Sequence, residues 1–152
     1  MKKFYIVSNV SKDYELKTTK KIVSFLESHN MDCKVNSMPS TQKNVNMRYT
    51  NPEDVDKDTD CIIVIGGDGT LIQAARDLRT LDIPLIGVNM GHLGFLAEIE
   101  QDNLEETLEM ITNNKCKIES RIMLSGSVYR DGKVVYKDIS LNDIVFGRAG
   151  NL

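Results

Sequence analysis

Five consecutive residues stand out for what they could do together: Gly66, Gly67, Asp68, Gly69 and Thr70. They follow an apolar stretch, Cys-Ile-Ile-Val-Ile at 61–65, and precede residues with helical spacing of apolar side chains. A turn between a buried parallel strand and a helix lies at the carboxyl edge of the sheet, where open α/β sheets take their ligands. Three glycines remove side chains that would keep a ligand from the backbone, and they permit backbone angles that other residues avoid. The first N–H groups of the helix then face an incoming phosphate. Asp68 is the one ionisable group in this setting. A carboxylate among phosphate-facing donors repels the ligand unless it has a task of its own. Two tasks suit it: accepting the proton of an attacking hydroxyl, or holding a divalent cation that bridges phosphates. The plainer alternative is a tight turn in which Asp68 only accepts backbone N–H bonds. Neither common phosphate loop is present. No lysine stands in the P-loop position, and Gly67-x-Gly69 lacks the third glycine of the dinucleotide fingerprint.

A second glycine-rich turn occupies 87–96, Gly-Val-Asn-Met-Gly-His-Leu-Gly-Phe-Leu. It also follows an apolar strand, so the two turns are expected side by side at one sheet edge. Asn89 is placed to tie them together through its side chain. Gly91 and Gly94 belong to the supporting turn, and Phe95 and Leu96 are expected to return to the core. His92 reads as an exposed loop residue rather than a base. A third element is Asn142-Asp143, between Leu141 and the apolar residues 144–146. An amide beside a carboxylate offers donors and acceptors that suit a ribose or a carboxamide; the same pair is also a turn signal.

The elements that must position these residues follow from periodicity. Residues 3–8 read as a buried strand. Residues 13–29 read as a helix with Leu16, Ile22, Val23 and Leu26 on one stripe, and 32–35 as a second strand. Strand, helix and strand at this spacing form a right-handed crossover. Residues 37–58, with Pro39 and Pro52 among Ser, Thr, Asn, Gln and Asp, read as a long polar surface loop, either a connector or a mobile cover. Alternation then resumes: a strand at 61–65, a helix at 70–78 with Leu71, Ala74, Ala75 and Leu78 inward, and a strand at 84–88. A helix at 103–114 carries Leu104, Leu108 and Ile111 inward, with Asn103 and Glu106 in a capping-box pattern. The fold class is α/β, a Rossmann-like, mainly parallel sheet flanked by helices.

From 117 the pattern changes. Residues 128–137 alternate around Asp131-Gly132, a two-residue hairpin turn, and 139–146 read as a further strand. A hairpin and one strand cannot bury a core. The expected organisation is therefore an α/β nucleotide-binding domain over 1–116 and the first strands of an incomplete all-β domain over 117–152.

Composition narrows the function. The 152 residues carry a formal charge of −3, and neither half is basic, which gives no electrostatic support for nucleic acid or an acidic membrane as partner. The longest apolar run, 61–65, falls far short of the roughly 20 residues that cross a bilayer. Phe4 to Val7 is too short for a signal-peptide core, so a cytoplasmic location is expected. Cys33, Cys61 and Cys116 are odd in number and form no Cys-x-x-Cys pair, so no disulfide framework is expected. His29 and His92 are too few for a structural zinc site, and no nucleophile elbow accompanies them.

The three elements, in this order, resemble the NAD kinase (ATP-NAD kinase) family. Its members carry Gly-Gly-Asp-Gly-Thr, then Val-Asn-x-Gly-x-Leu-Gly-Phe-Leu, then an Asn-Glu/Asp pair; here these stand at 66–70, 88–96 and 142–143. The first motif is shared with diacylglycerol and sphingosine kinases and loosely with phosphofructokinases. The second discriminates, because those lipid kinases usually carry a Gly-Thr-Gly-Asn-Asp-Phe-type turn instead. The resemblance implies transfer of the ATP γ-phosphoryl group to the 2′-hydroxyl of the adenosine ribose of NAD, giving NADP. It implies Asp68 as proton acceptor, and Asp68, Gly69, Asn142 and Asp143 as contacts to NAD. The phosphate-facing turn (Gly66, Gly67, Gly69, Thr70) would take ATP. Mg²⁺ or another divalent cation would arrive with ATP rather than in a protein-built site. Homo-oligomers, dimers or tetramers, are implied for the full-length form. Asp143 stands where Glu is commoner, one methylene shorter. The family continues with a β-rich domain about as long again, so these residues are expected to be a fragment, weak or inactive alone. The alternatives are a lipid-kinase-like enzyme of the same superfamily and a catalytically silent nucleotide-binding fragment.

Overall fold

The structure, a computed structural model, describes residues 1–38, 50–91, 96–97, 99–145 and 147. They fall into two compact units, Met1–Ile118 and Glu119–Leu152, each treated by itself.

The first unit runs β1 (Lys3–Asn9), α1 (Lys17–Ser28), β2 (Asp32–Met38), β3 (Cys61–Gly66), α2 (Asp68–Leu78), β4 (Leu85–Asn89) and α3 (Leu104–Thr112). The strands pair in the order β2-β1-β3-β4, and every pairing is parallel. β1 and β3 lie in the middle, and their apolar residues 4–7 and 61–65 are at most 3% exposed, as strands covered on both faces require. Successive side chains go to opposite faces. Phe4, Ile6, Ile63 and Ile65 pack with Ile22 and Leu26 of α1 and with Leu104, Leu108 and Ile111 of α3. Tyr5, Val7, Ile62 and Val64 pack with Leu71, Ala74 and Leu78 of α2. Two helices on one face and one on the other make three layers, the α/β architecture expected.

Several boundaries differ from expectation for identifiable reasons. α1 begins at Lys17, not near Asp13, because Tyr14–Leu16 forms a short 3₁₀ turn with Glu15 and Leu16 at φ 52° and 55°. Asp13 lies outside the helix and caps it from there. Its carboxylate accepts N–H bonds from Thr18 and Thr19, each 2.9 Å, and the Thr19 hydroxyl at 2.6 Å, while being 1% exposed. Asp13→Ala would strand those donors in the interior. It should cost about 2 kcal/mol, the upper end for losing a helix cap, and Asp13→Asn, which keeps an acceptor oxygen, should cost less. Urea unfolding checks this, and an unchanged midpoint for Asp13→Ala would contradict it.

α3 begins at Leu104, and the expected capping box is not formed. Asn103 occupies the capping position but makes no side-chain bond there. Gln101–Asn103 is a 3₁₀ turn running straight into the helix, so Asn103 sits at φ −104°, ψ 12° rather than in the extended geometry that swings a cap over the helix end. Asn114, at φ 55°, adopts the left-handed conformation that follows a helix end. β2 is longer than expected and takes in residues 36–38. Of the polar stretch 37–58, residues 39–49 lie outside the described residues. The described remainder is not a free surface connector: Thr50 is 1% and Val55 6% exposed, and Val55 joins the α2-side core. Lys3 Nζ meets Asp56 and Asp58 at 2.8 Å each. Those hydrogen bonds hold the lysine above its ordinary pKa and both carboxyls below theirs.

The second unit contains β5 (Leu124–Arg130) and β6 (Lys133–Ser140), antiparallel. Asp131 and Gly132 link them at φ 51° and 72°, the double left-handed geometry of a type I′ turn. The further strand expected over 139–146 does not form. Ile139 and Ser140 finish β6, and 141–145 are non-strand. The Ser140 hydroxyl donates to the Asp143 carbonyl at 2.6 Å, which folds this segment into a turn; Phe146 lies outside the described residues. Cys33, Cys61 and Cys116 are free thiols, and burial pushes the Cys61 thiol up to about 12. Among the described residues no helix is long and apolar enough to cross a membrane.

Candidate functional site

The strand order turns back between β1 and β3: β2 lies outside β1 on one side, and β3 and β4 extend the other way. Neighbouring connections leave the carboxyl ends of such a pair on opposite faces, which opens a crevice. β3 ends there in Gly66, and α2 starts two residues further on with Asp68 as its first residue, two residues earlier than the periodicity suggested. Gly67 precedes it in extended backbone at φ −117°. The Thr70 and Leu71 N–H groups return to the Gly67 carbonyl at 2.9 and 3.1 Å. The amides ahead of them are at the helix start, where no intrahelical acceptor exists.

The glycines act here through space and not through conformation, which corrects part of the sequence reading. Among the described residues Gly132 is the one glycine with positive φ. A Cβ on Gly66 would stand 2.4 Å from Thr70 Oγ1 and 2.6 Å from Thr70 Cβ, so Thr70 packs where a side chain would be. A Cβ on Gly67 or Gly69 would meet none of the described residues within 4 Å. Those two positions border open space, and Gly69 is exposed.

Asp68 is half-buried. Its Oδ1 accepts N–H bonds from Leu96 at 3.3 Å and Ala97 at 3.2 Å, which lashes the first turn of α2 to the end of the second glycine-rich turn. A carboxylate in a helix's first turn is also favoured by the helix dipole. The two turns therefore do meet. A second tie is main-chain: Met90 N–H donates to the Gly66 carbonyl at 2.8 Å. Asn89 is 7% exposed, and its Oδ1 accepts the Gly91 N–H at 3.1 Å, shaping its own turn. Ile99 pairs with Val88 as an extra parallel bridge. Gly94, Phe95 and His92 lie outside the described residues. Leu96 packs at the edge of the α2-side core.

Gly66, Gly67, Asp68, Gly69, Thr70, Asn89 and Gly91 are thus brought together in the first unit. Asn142 and Asp143 belong to the second, both exposed, in the turn after β6. Sequence alone gives Asn9 no role. It ends β1, and its Nδ2 donates to Thr70 Oγ1 at 3.0 Å. The available signal was an asparagine closing an apolar strand, but its use depends on β3 lying beside β1. A shallow groove elsewhere, lined by Lys17, Lys20, Lys21, Ser24, Phe25 and Glu105, is less suggestive: Lys21 faces Glu105 at 3.7 Å, a solvated pairing of helix faces.

An open parallel α/β domain with a Gly-Gly-Asp-Gly-Thr turn at its switch point is the class that fold and site define. A family model described as the ATP-NAD kinase N-terminal domain matches residues 4–116. The NAD kinase of Lachnospira eligens is 43% identical over 152 residues, which are 100% of this chain and 52% of that protein. The NAD kinase of Lachnoclostridium phytofermentans is 40% identical, over 99% of this chain and 52% of its own length. The crystal structure of yeast NADH kinase complexed with NADH superposes with a TM-score of 0.63 at 17% identity, covering 93% of this chain and 47% of that one. A putative diacylglycerol kinase from Bacillus anthracis str. Sterne reaches 0.51 at 19% identity, covering 88% and 46%. At those identities the two structures speak for the fold alone. The chain belongs to the ATP-NAD kinase family, with residues 4–116 as the N-terminal domain, and spans about half the length of the curated relatives it matches.

Proposed function

We propose that this chain supplies the phosphate-binding turn and the proton acceptor of an NAD kinase, which transfers the ATP γ-phosphoryl group to the 2′-hydroxyl of the adenosine ribose of NAD. The observation that carries the reading is Asp68: a carboxylate held by two backbone N–H groups on one side, beside glycines that border open space. In the reaction Asp68 takes the proton of the ribose hydroxyl as its oxygen attacks phosphorus, and ADP leaves with the bridging oxygen. Gly67 and Gly69 let the phosphates reach the backbone, and the helix start offers them N–H donors. Asn142 and Asp143 are assigned to NAD, on the family resemblance.

A divalent cation would neutralise charge developing on the phosphates. Among the described residues no three His, Cys, Asp or Glu side chains converge on one point, and at this turn Asp68 is the carboxylate within reach. That donor set fits Mg²⁺ carried on phosphate oxygens and water, its usual mode. The test is an acceptor screen at fixed ATP with the full protein carrying this chain. NAD should be converted to NADP and diacylglycerol should remain unphosphorylated; no NADP above the blank would refute the reading. The same assay on the 152 residues alone should show no robust turnover, since phosphoryl transfer rests on positioning and the relatives are about twice as long.

A further inference from the structure

The crevice has two walls, and the kinase reading uses only the β3 side. Asn9 stands on the other. Its amide is engaged at both ends: Oδ1 accepts the Ser11 N–H at 3.1 Å and the Ser11 hydroxyl at 2.7 Å, while Nδ2 donates to Thr70 Oγ1 at 3.0 Å. A backbone N–H can only donate, so the Ser11 contact fixes which end of the amide is oxygen and points the NH₂ at Thr70. Thr70 is the third residue of α2 and is 8% exposed; its side chain fills the space over Gly66. Asp68, two residues before it, is held from the opposite side by Leu96 and Ala97. The first turn of α2 is therefore gripped from both flanks, by Asn9 through Thr70 and by the 96–97 amides through Asp68.

We propose that Asn9 is a positioning residue for Asp68, acting through Thr70 to fix the first turn of α2 across the crevice. This rests on the kinase reading above. An amide is the side chain that fits, because the position needs an acceptor toward Ser11 and a donor toward Thr70 from one short planar group. Leucine matches its size and supplies neither.

The experiment is steady-state NADP formation by the full protein with Asn9→Leu, Thr70→Val, and both. Asn9→Leu should lower kcat about tenfold to a hundredfold, the penalty of a displaced reacting group, with KM for NAD and ATP within about threefold. The double variant should be no slower than the worse single variant by more than about threefold, because both substitutions break one link. A kcat for Asn9→Leu within twofold of the parent, or losses that multiply in the double variant, would overturn the proposal. Should Asn9→Leu not fold, Asn9→Ser, too short to reach Thr70, carries the same comparison. Should the parent make no NADP, the kinase reading fails while Asn9 is still tested by hydrogen exchange. Amides in the first turn of α2 should then exchange at least about tenfold faster in Asn9→Leu, and unchanged exchange overturns the proposal.

Discussion

Asp68→Asn should abolish most turnover, lowering kcat by about 10²–10⁴-fold, the range that general base catalysis contributes, while nucleotide affinity stays within a few fold. The substitution is well suited to the question because the amide oxygen can still accept the Leu96 and Ala97 N–H bonds that hold Asp68 at 3.3 and 3.2 Å. The turn should keep its geometry, so what disappears is the basicity of the side chain. A purely structural Asp68 gives the opposite result: the same two bonds survive in Asp68→Asn, and the rate stays within a few fold. Asp68→Ala separates the roles further. It removes the tie as well as the base, so it should resemble Asp68→Asn in rate and also loosen the 96–97 segment. Stopped assays for NADP together with calorimetric titration of the nucleotide distinguish these cases.

How much of this was legible in the sequence depended on whether a feature is local. Residues 61–65 contain no polar side chain, and that alone marks a strand covered on both faces; the structure buries all five. The Asp131-Gly132 hairpin is likewise a local device, set by two residues that tolerate left-handed backbone. Helix starts were less legible. Asp13 caps α1 from four residues upstream of its first residue, through a 3₁₀ turn that apolar spacing does not reveal. Asn103, with the right residue type and spacing, caps nothing, because the preceding 3₁₀ turn sets its backbone wrongly. Asn9 depended on topology. Nothing near it in the sequence says that the chain, after β2, returns to the far side of β1 and brings Thr70 within 3.0 Å.

The same distinction between local signal and tertiary use separates the three glycines of the turn, and alanine at each should show it. Gly66→Ala would place a methyl 2.4 Å from Thr70 Oγ1 and 2.6 Å from Thr70 Cβ. Thr70 cannot step aside easily: its hydroxyl holds Asn9, and its N–H is bonded to the Gly67 carbonyl at 2.9 Å. The expected cost is about 3 kcal/mol, the upper part of the range for overpacking, with a rate loss as the first turn of α2 shifts and carries Asp68 with it. Gly67→Ala and Gly69→Ala meet no atom of the described residues within 4 Å, and Gly67 at φ −117° is in backbone that alanine adopts. Both should fold as well as the parent, and Gly69→Ala, inside a helix, should gain roughly 0.5–1 kcal/mol. Their penalty should fall on the ligand, as a KM for ATP raised about tenfold or more, near 1.4 kcal/mol of lost binding. Chemical denaturation and KM measured on the same three variants make the comparison. If Gly67→Ala and Gly69→Ala leave KM and kcat at parental values, the open space beside them is not where the phosphates lie, and the phosphate-binding role of this turn is lost even if Asp68 proves essential.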